Sequence, residues 1–294
     1  MHIIELPTEI IEEILARCDP IEVSKAAQTC SVLRTLIYAP DDEKLWRDLY
    51  LAQPFDDLRK CVSENGQLVQ VPDWQRNLQR LFRARNVVAN PSLLKPGELE
   101  EILQTLLKMI LYHLPRSTSN SDKTESSRNL CWISNILRDH DFIDQVEDMK
   151  SSLTFSERQL LSRLHCYFGL TDKDVVEPQA RIDSRVYVYT MRNYRRENNY
   201  GPFLSDGTVN WEHMQALHHV LSMHVFDDDG SDSFSVFPMS VENMQVMLPD
   251  GQEGEEDLKD WVGLQGSWVL SFCFCDHRDL LSEFWLSSYT YLEC

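Results

Sequence analysis

The chain has 294 residues with 43% hydrophobic and 10% aromatic content, enough for a substantial core and one to three domains of globular composition. No run of about 18 apolar residues occurs, which argues against a helical membrane span, and Glu5 and Pro7 leave no room for a signal peptide. The formal net charge is −19, divided as −5 over residues 1–60, 0 over 61–170 and −14 over 171–294; so acidic an end argues against nucleic-acid binding, which depends on neutralising phosphate. Eight cysteines without a C-x-x-C pair fit a reducing compartment, so the cytoplasm or nucleus is the expected location. Cys18, Cys30, Cys131 and Cys166 fall within helical patterns and are expected to act as small buried hydrophobes.

The first helix opens at Leu6-Pro7, where a proline costs no hydrogen bond, and Ile10, Ile11, Ile14 and Leu15 follow at helical spacing. Asp19-Pro20-Ile21-Glu22 starts a second helix, with Asp19 as cap and Glu22 at the positive end. Its apolar stripe runs through Val23, Ala26, Ala27 and Cys30 and continues in Leu33, Leu36 and Ile37. Asp41-Asp42-Glu43 gives an acidic first turn to a helix carrying Leu45, Trp46, Leu49 and Tyr50. A helical segment this small supplies roughly 3–5 kcal/mol from its own core. Its apolar stripes therefore call for a covering surface, either a partner or the rest of this chain.

The order Leu6-Pro7, Glu9-Ile10, Ile14-Leu15, Asp19-Pro20, Cys30, Leu45-Trp46 resembles an F-box. The resemblance implies a docking module for a Skp-type adaptor, and through it a cullin scaffold, with no catalytic residues of its own. The adaptor contacts it implies are Leu6, Pro7, Ile10, Ile11, Ile14, Leu15, Pro20, Leu33, Leu45 and Trp46. Three positions are smaller than usual for the family: Cys18 for leucine, Thr29 for valine and Leu33 for tryptophan. A weaker than typical adaptor affinity follows from that lost bulk.

Beyond the motif, Val71, Trp74, Leu78, Leu81 and Phe82 mark a helix whose other faces carry Arg76, Arg80, Arg83 and Arg85, a solvated face or a grip for an acidic peptide. Residues 98–114 keep a strict three-four alternation of leucine and isoleucine between Pro96-Gly97 and Pro115. Ser117 to Ser127 reads as a polar loop open to phosphorylation. Helices resume over about 129–150, and Thr154-Phe155-Ser156-Glu157 is a capping box for the next helix.

Near residue 180 the character changes. Arg185-Val186-Tyr187-Val188-Tyr189 fits a strand or a buried helix turn, Gly201 to Gly207 a turn-rich loop, and Asn210 caps a helix running to about 224. Asp227 to Asp232 and Asp250 to Asp260 read as acidic loops, and Gly266 to Cys275 as a strand. Stretches from Arg192 to His213, with Gly263-x-x-Gly266-x-Trp268, are similar to a large group of fungal F-box proteins in which that segment opens a β-domain. The pattern leaves open whether the β element here is complete.

No catalytic motif emerges. His213, His218, His219 and His224 share one helix at spacings unsuited to two ligands on one face, Cys273 to His277 lacks further zinc ligands, and Asp227 to Asp232 has Pro238 where a calcium loop needs glutamate. The expectation is a mostly α protein. It comprises a three- to four-helix F-box at 1–52, an amphipathic-helix region at 53–180, and a small α+β region with few strands at 181–294. As function, the sequence points to the target-recognition subunit of an SCF-type ubiquitin ligase, with an unknown target, no metal, no cofactor, no nucleic acid and no membrane. A non-ligase F-box module and a truncated receptor without target recognition stay open as alternatives.

Overall fold

The computed structural model describes residues 5–39, 43–63, 67–68, 73–117, 126–226, 241, 244–245 and 247–248. Among these the chain is mostly helical. The helices are α1 (Thr8–Leu15), α2 (Pro20–Ala26), α3 (Ser31–Tyr38), α4 (Lys44–Leu51), α5 (Trp74–Ala89), α6 (Leu99–Leu111), α7 (Arg128–Arg138), α8 (Phe142–Glu147), α9 (Phe155–Phe168), α10 (Asp172–Val176), α11 (Pro178–Tyr189) and α12 (Trp211–Phe226). Two strands of two residues each, β1 (Arg116–Ser117) and β2 (Met247–Leu248), pair in parallel. The chain divides into two compact units. The first comprises residues 1–94, 104–139 and 244–250, the second residues 95–103, 140–243 and 251–294.

The helix starts follow local chemistry. Asp19 accepts a hydrogen bond from Ile21 N, Asp73 from Arg76 N and Ser127 from Leu130 N, each satisfying a donor that the first helical turn leaves over. Thr154 and Glu157 form the reciprocal capping box expected for α9. Asn210 Oδ1 accepts from His213 N at the start of α12. Pro7 stands one residue before α1, at its cap position, rather than in its first turn. Glu43 adopts a left-handed φ of 47° ahead of α4, and its carboxylate accepts from Trp74 N at 2.9 Å. It therefore ties α4 to the start of α5 instead of decorating a first turn.

In the first unit α1 packs on α4, α2 on α3, α4 on α5, and α5 on α7. The stripe of α1–α4 is buried at Ile11, Leu15, Val23, Ala27, Leu33, Ile37, Leu45, Trp46, Leu49 and Tyr50. Residues outside 1–52 complete that core: the ring of Tyr50 meets Phe55 and Trp74, and Phe55 meets Trp132 edge-on at 5.3 Å. Much of the covering surface that the small N-terminal helices call for is thus supplied by the chain itself. On α5, Arg83 donates to the Leu93 carbonyl and the Arg85 guanidinium lies 4.2 Å over the Phe82 ring, so these arginines are not simply a solvated face.

The helix expected over 98–114 ends at Leu111. The chain then turns away because His113 exchanges backbone hydrogen bonds with Val62, and Leu114 N donates to Asp56 Oδ2. Asp56 is a buried hub of this unit. Its Oδ2 also accepts from Ser127 Oγ at 2.5 Å, and its Oδ1 accepts from Arg128 N at 2.8 Å. Ser127 is accordingly a buried helix cap and not part of an accessible loop. Substituting Asp56→Asn puts an amide donor where an acceptor is needed and strands at least one buried donor. We expect a stability loss of about 1.5–3 kcal/mol, read by urea denaturation, with faster amide exchange at the start of α7; unchanged exchange there would remove Asp56 from this role.

The second unit packs α8 on α9, α9 on α12, α10 on α11 and α11 on α12. Gln159 of α9 holds the start of α12, accepting from Trp211 N at 2.7 Å and donating to Asn210 and Glu212. The Gly201–Gly207 loop closes on a Phe203–Val209 bridge, with Gly207 at a φ of 83° that favours glycine. The helices expected over about 129–150 are α7 and α8, separated at Asp139–Asp141. Arg185–Tyr189 forms the last turn of α11, not a strand, and the boundary expected at 180/181 falls inside that helix. Of the α+β region expected over 181–294, the described part holds the end of α11, α12 and β2, with short 3-10 turns and the Gly201–Gly207 loop between the two helices. The expected strand at 266–275 and the acidic loops at 227–232 and 250–260 lie outside the described residues. Cys18 and Cys131 are exposed, contrary to expectation, because the buried stripes beside them run through Ile11 and Leu15 and through Leu130, Ile133 and Leu137.

Candidate functional site

The helices α1–α4 form a module whose motif side chains separate into two groups. Ile11, Leu15, Pro20, Leu33, Leu45 and Trp46 are buried within the first unit. Trp46 also makes a local polar contact. Its Nε1–H donates to the Ile37 carbonyl at 2.9 Å, satisfying an orphan acceptor in the last turn of α3. Its ring lies 5.5 Å from that of Tyr38. These six side chains build the scaffold.

Ile10, Ile14, Pro7 and Leu6 are placed differently. Ile10 is 48% exposed and Ile14 39% exposed, Pro7 is exposed and Leu6 half-buried. Ile10 and Ile14 stand four residues apart and so share one face of α1. The adjoining face, about 100° round the helix, carries Ile11 and Leu15 into the core, so the apolar stripe of α1 is wider than the core covers. Val32 and Tyr38 on α3 are exposed as well. Cys30, expected in an apolar stripe, instead caps α3, its Sγ accepting from Leu33 N.

A second concentration of functional side-chain types lies in the second unit. His165 of α9 is 3% exposed and sits between two carboxylates, with Nδ1 2.8 Å from Glu147 Oε1 and Nε2 2.7 Å from Asp174 Oδ2. Asp174 is held in turn by Thr171, whose N–H and Oγ donate to Oδ2 while Asp174 N donates to Thr171 Oγ, a capping box for α10. Burial alone would lower the His165 pKa, but the hydrogen bonds and charges of Asp174 and Glu147 outweigh it and hold the imidazolium up to about 10. Burial would likewise raise Asp174, yet His165 and the Thr171 amide bring it down to about 2. Glu147 is lowered for the same reason.

This arrangement is structural rather than catalytic. Both His165 nitrogens are committed to carboxylates, so neither can take a proton from a nucleophile at neutral pH. Sequence patterns do not single out His165, because its partners stand 18 residues before and 9 residues after it. The Thr-x-x-Asp pattern at 171–174 is the one local signal of the cluster. Of the four histidines read together on α12, three have described side chains. His213 packs between Tyr187 and Tyr194, His218 and His219 are buried, and the side chain of His224 lies outside the described residues. Among the described residues no group of three or more histidine, cysteine or acidic side chains is placed to hold a metal ion.

Four short helices thus share a core and leave part of their apolar surface, Ile10, Ile14, Val32 and Tyr38, exposed. Residues 3–52 match the family model of the F-box-like domain. The chain therefore carries an F-box-like domain over those residues, a module type that binds Skp-type adaptors and is typically non-catalytic. No curated protein and no solved structure matches the chain. No helix among the described residues is long and apolar enough to cross a membrane.

Proposed function

We propose that this chain is the target-recognition subunit of an SCF-type ubiquitin ligase. Its F-box-like domain docks on a Skp-type adaptor and through it on a cullin, while residues beyond 52 bind the target protein. The observation that carries the reading is the exposed Ile10–Ile14 edge on a helix whose adjoining stripe, Ile11 and Leu15, is already buried. A helix presenting i, i+4 apolar anchors is a familiar mode of helix-in-groove docking. Of the sequence-derived contacts, Leu6, Pro7, Ile10 and Ile14 touch the adaptor, and Ile11, Leu15, Pro20, Leu33, Leu45 and Trp46 hold them in place.

In this reading the protein contributes proximity. Tethering a target beside the ubiquitin-loaded enzyme raises the effective concentration of its lysines, and the covalent chemistry takes place on other subunits. The five described cysteines are free thiols, which supports action in the reducing cytoplasm or nucleus.

Affinity capture of the tagged full chain from cells tests this. Recovery of adaptor together with cullin is expected, and both should be lost in the Leu6→Ala/Pro7→Ala double variant. Adaptor recovered without cullin would leave an interaction module outside any ligase. Recovery of neither would sink the assignment.

A further inference from the structure

The loop between α11 and α12 departs from its acidic surroundings. Residues 171–294 carry a formal net charge of −14, yet Arg192, Arg195 and Arg196 stand within five positions of one another and all are exposed. Carboxylates are plentiful in this chain, with 47 acidic residues against 28 basic ones. Among the described residues none of the three guanidiniums makes an ion pair, not even with Glu197 beside them. Their charge is therefore left for something outside the chain.

The loop is fastened by its own side chains. Asn193 Nδ2 donates to the Tyr187 carbonyl and the Tyr194 hydroxyl to the Val188 carbonyl, both at 2.7 Å, satisfying acceptors that the end of α11 leaves over. Asn198 Oδ1 accepts from Arg195 N and its Nδ2 donates to the Asn193 carbonyl. Arg195 Nε donates to the Arg192 carbonyl at 2.8 Å. Asn199 and Tyr200 take left-handed φ values of 53° and 56°. Asparagine tolerates that region, but a bulky tyrosine there is an outlier that the surrounding contacts must hold. Tyr200 N does so by donating to the Arg195 carbonyl at 2.8 Å. The strained turn leaves Tyr200 67% exposed next to the arginines, and Met191 at the other end of the loop is 78% exposed. Arginine, tyrosine and methionine are the residue types enriched where protein surfaces meet. A loop already ordered loses little freedom on binding.

The partner's chemistry follows from the charge. Guanidinium groups take carboxylates two hydrogen bonds at a time. The arginines are set along two successive 3-10 turns, Met191–Asn193 and Arg196–Asn198, and Arg195 Nε is already spent. They suit several single charges spaced along a peptide better than one compact dianion. A long polyanion would also meet the negative field of the surrounding region, whereas a short segment stays within reach of the arginines.

We propose that the Met191–Tyr200 loop docks an acidic segment of the target polypeptide, with carboxylates on the arginines and an apolar side chain against Met191 and Tyr200. The assignment rests on the reading that residues beyond the F-box-like domain bind the target, and its test separates the two. The full chain is titrated calorimetrically with acetylated and amidated Gly-Asp-Glu-Asp-Leu-Gly and with its uncharged counterpart Gly-Asn-Gln-Asn-Leu-Gly. A phosphoserine peptide without carboxylates and a uridine hexamer serve as the other anions. The acidic peptide should bind, the uncharged one should not, and the other two should bind more weakly than the acidic peptide. The Arg192→Gln/Arg196→Gln variant should lose at least about tenfold in affinity with its two forks. Its circular dichroism and adaptor capture should stay unchanged, because both positions are exposed. No binding of the acidic peptide at millimolar concentration would overturn the assignment. So would equal binding of the uncharged peptide, full affinity in the double variant, or tighter binding of the phosphoserine peptide or the hexamer. Adaptor capture without peptide binding counts against the loop alone; peptide binding without adaptor capture counts against the ligase reading alone.

Discussion

Replacing His165 by leucine is expected to destabilise the second unit by about 3–5 kcal/mol, the cost of leaving buried carboxylates without their cation. Glu147 and Asp174 lose their shared imidazolium, and Asp174 is 7% exposed, with Thr171 as its remaining close donor. The pH dependence gives the sharper signature. His165 is raised from 6.5 to about 10, so its contribution is complete below pH 6.5 and is lost as the pH rises from there through about 10. Asp174 is lowered from 3.8 to about 2, so its contribution is present above 3.8 and is lost as the pH falls toward 2. His218 is buried neutral, lowered to about 4, and removes further stability as the pH falls below 6.5. The groups facing His165 are Glu147, Asp174, Asp144, His218 and His219, and the two carboxylates bonded to it set the sign. Urea unfolding of the native chain from pH 4 to 10 should therefore trace a bell. His165→Leu should lose the fall between 6.5 and 10 together with the carboxylate part of the acid limb, since His165 is what lowers Asp174 and Glu147, and should keep only the part due to buried His218; an alkaline limb that survives the substitution would show that another group causes it.

The second large effect falls on the docking face. Ile10→Asp with Ile14→Asp should weaken adaptor binding by at least about a hundredfold. Each isoleucine buried at an interface contributes on the order of 1.5–3 kcal/mol, and about 1.4 kcal/mol is a factor of ten in affinity. Both side chains are exposed in the free chain, so the change in folding stability should stay within about 0.5 kcal/mol. Trp46→Ala provides the contrast: it opens the core of α1–α4 and frees the Ile37 carbonyl, so its effect on adaptor binding arrives together with unfolding. Calorimetric titration with purified adaptor, paired with thermal denaturation of each variant, separates the cases. Adaptor affinity within threefold of wild type in the double aspartate variant would place the docking surface elsewhere.

Local chemistry was legible wherever a few neighbouring residues decide the outcome. Asp19, Thr154 with Glu157, and Asn210 each begin the helix they were expected to begin, because a cap needs a partner only two or three residues away. The alternation from Leu99 onward made α6 plain, although its end was misplaced: Val62 and Asp56 draw the chain out of the helix, and neither is near it in sequence. Arg185–Tyr189 stayed undecided because β-branched and aromatic residues suit a strand and a buried helix equally. Packing of α11 against α12 resolves it.

The sequence by itself determined the helical class and the position of the F-box-like module, since periodicity, caps and an ordered motif are short-range properties. It could not divide the isoleucines of α1 into core and surface, because Ile10, Ile11, Ile14 and Leu15 all satisfy helical spacing and only the packing partners distinguish them. Nor could it join Asp56 to Ser127 across 71 residues, or set His165 between Glu147 and Asp174. Those pairings depend on which buried charges the fold brings within 3 Å of one another. Only the tertiary structure decides that, because the cost of an unpaired charge arises when burial removes its water.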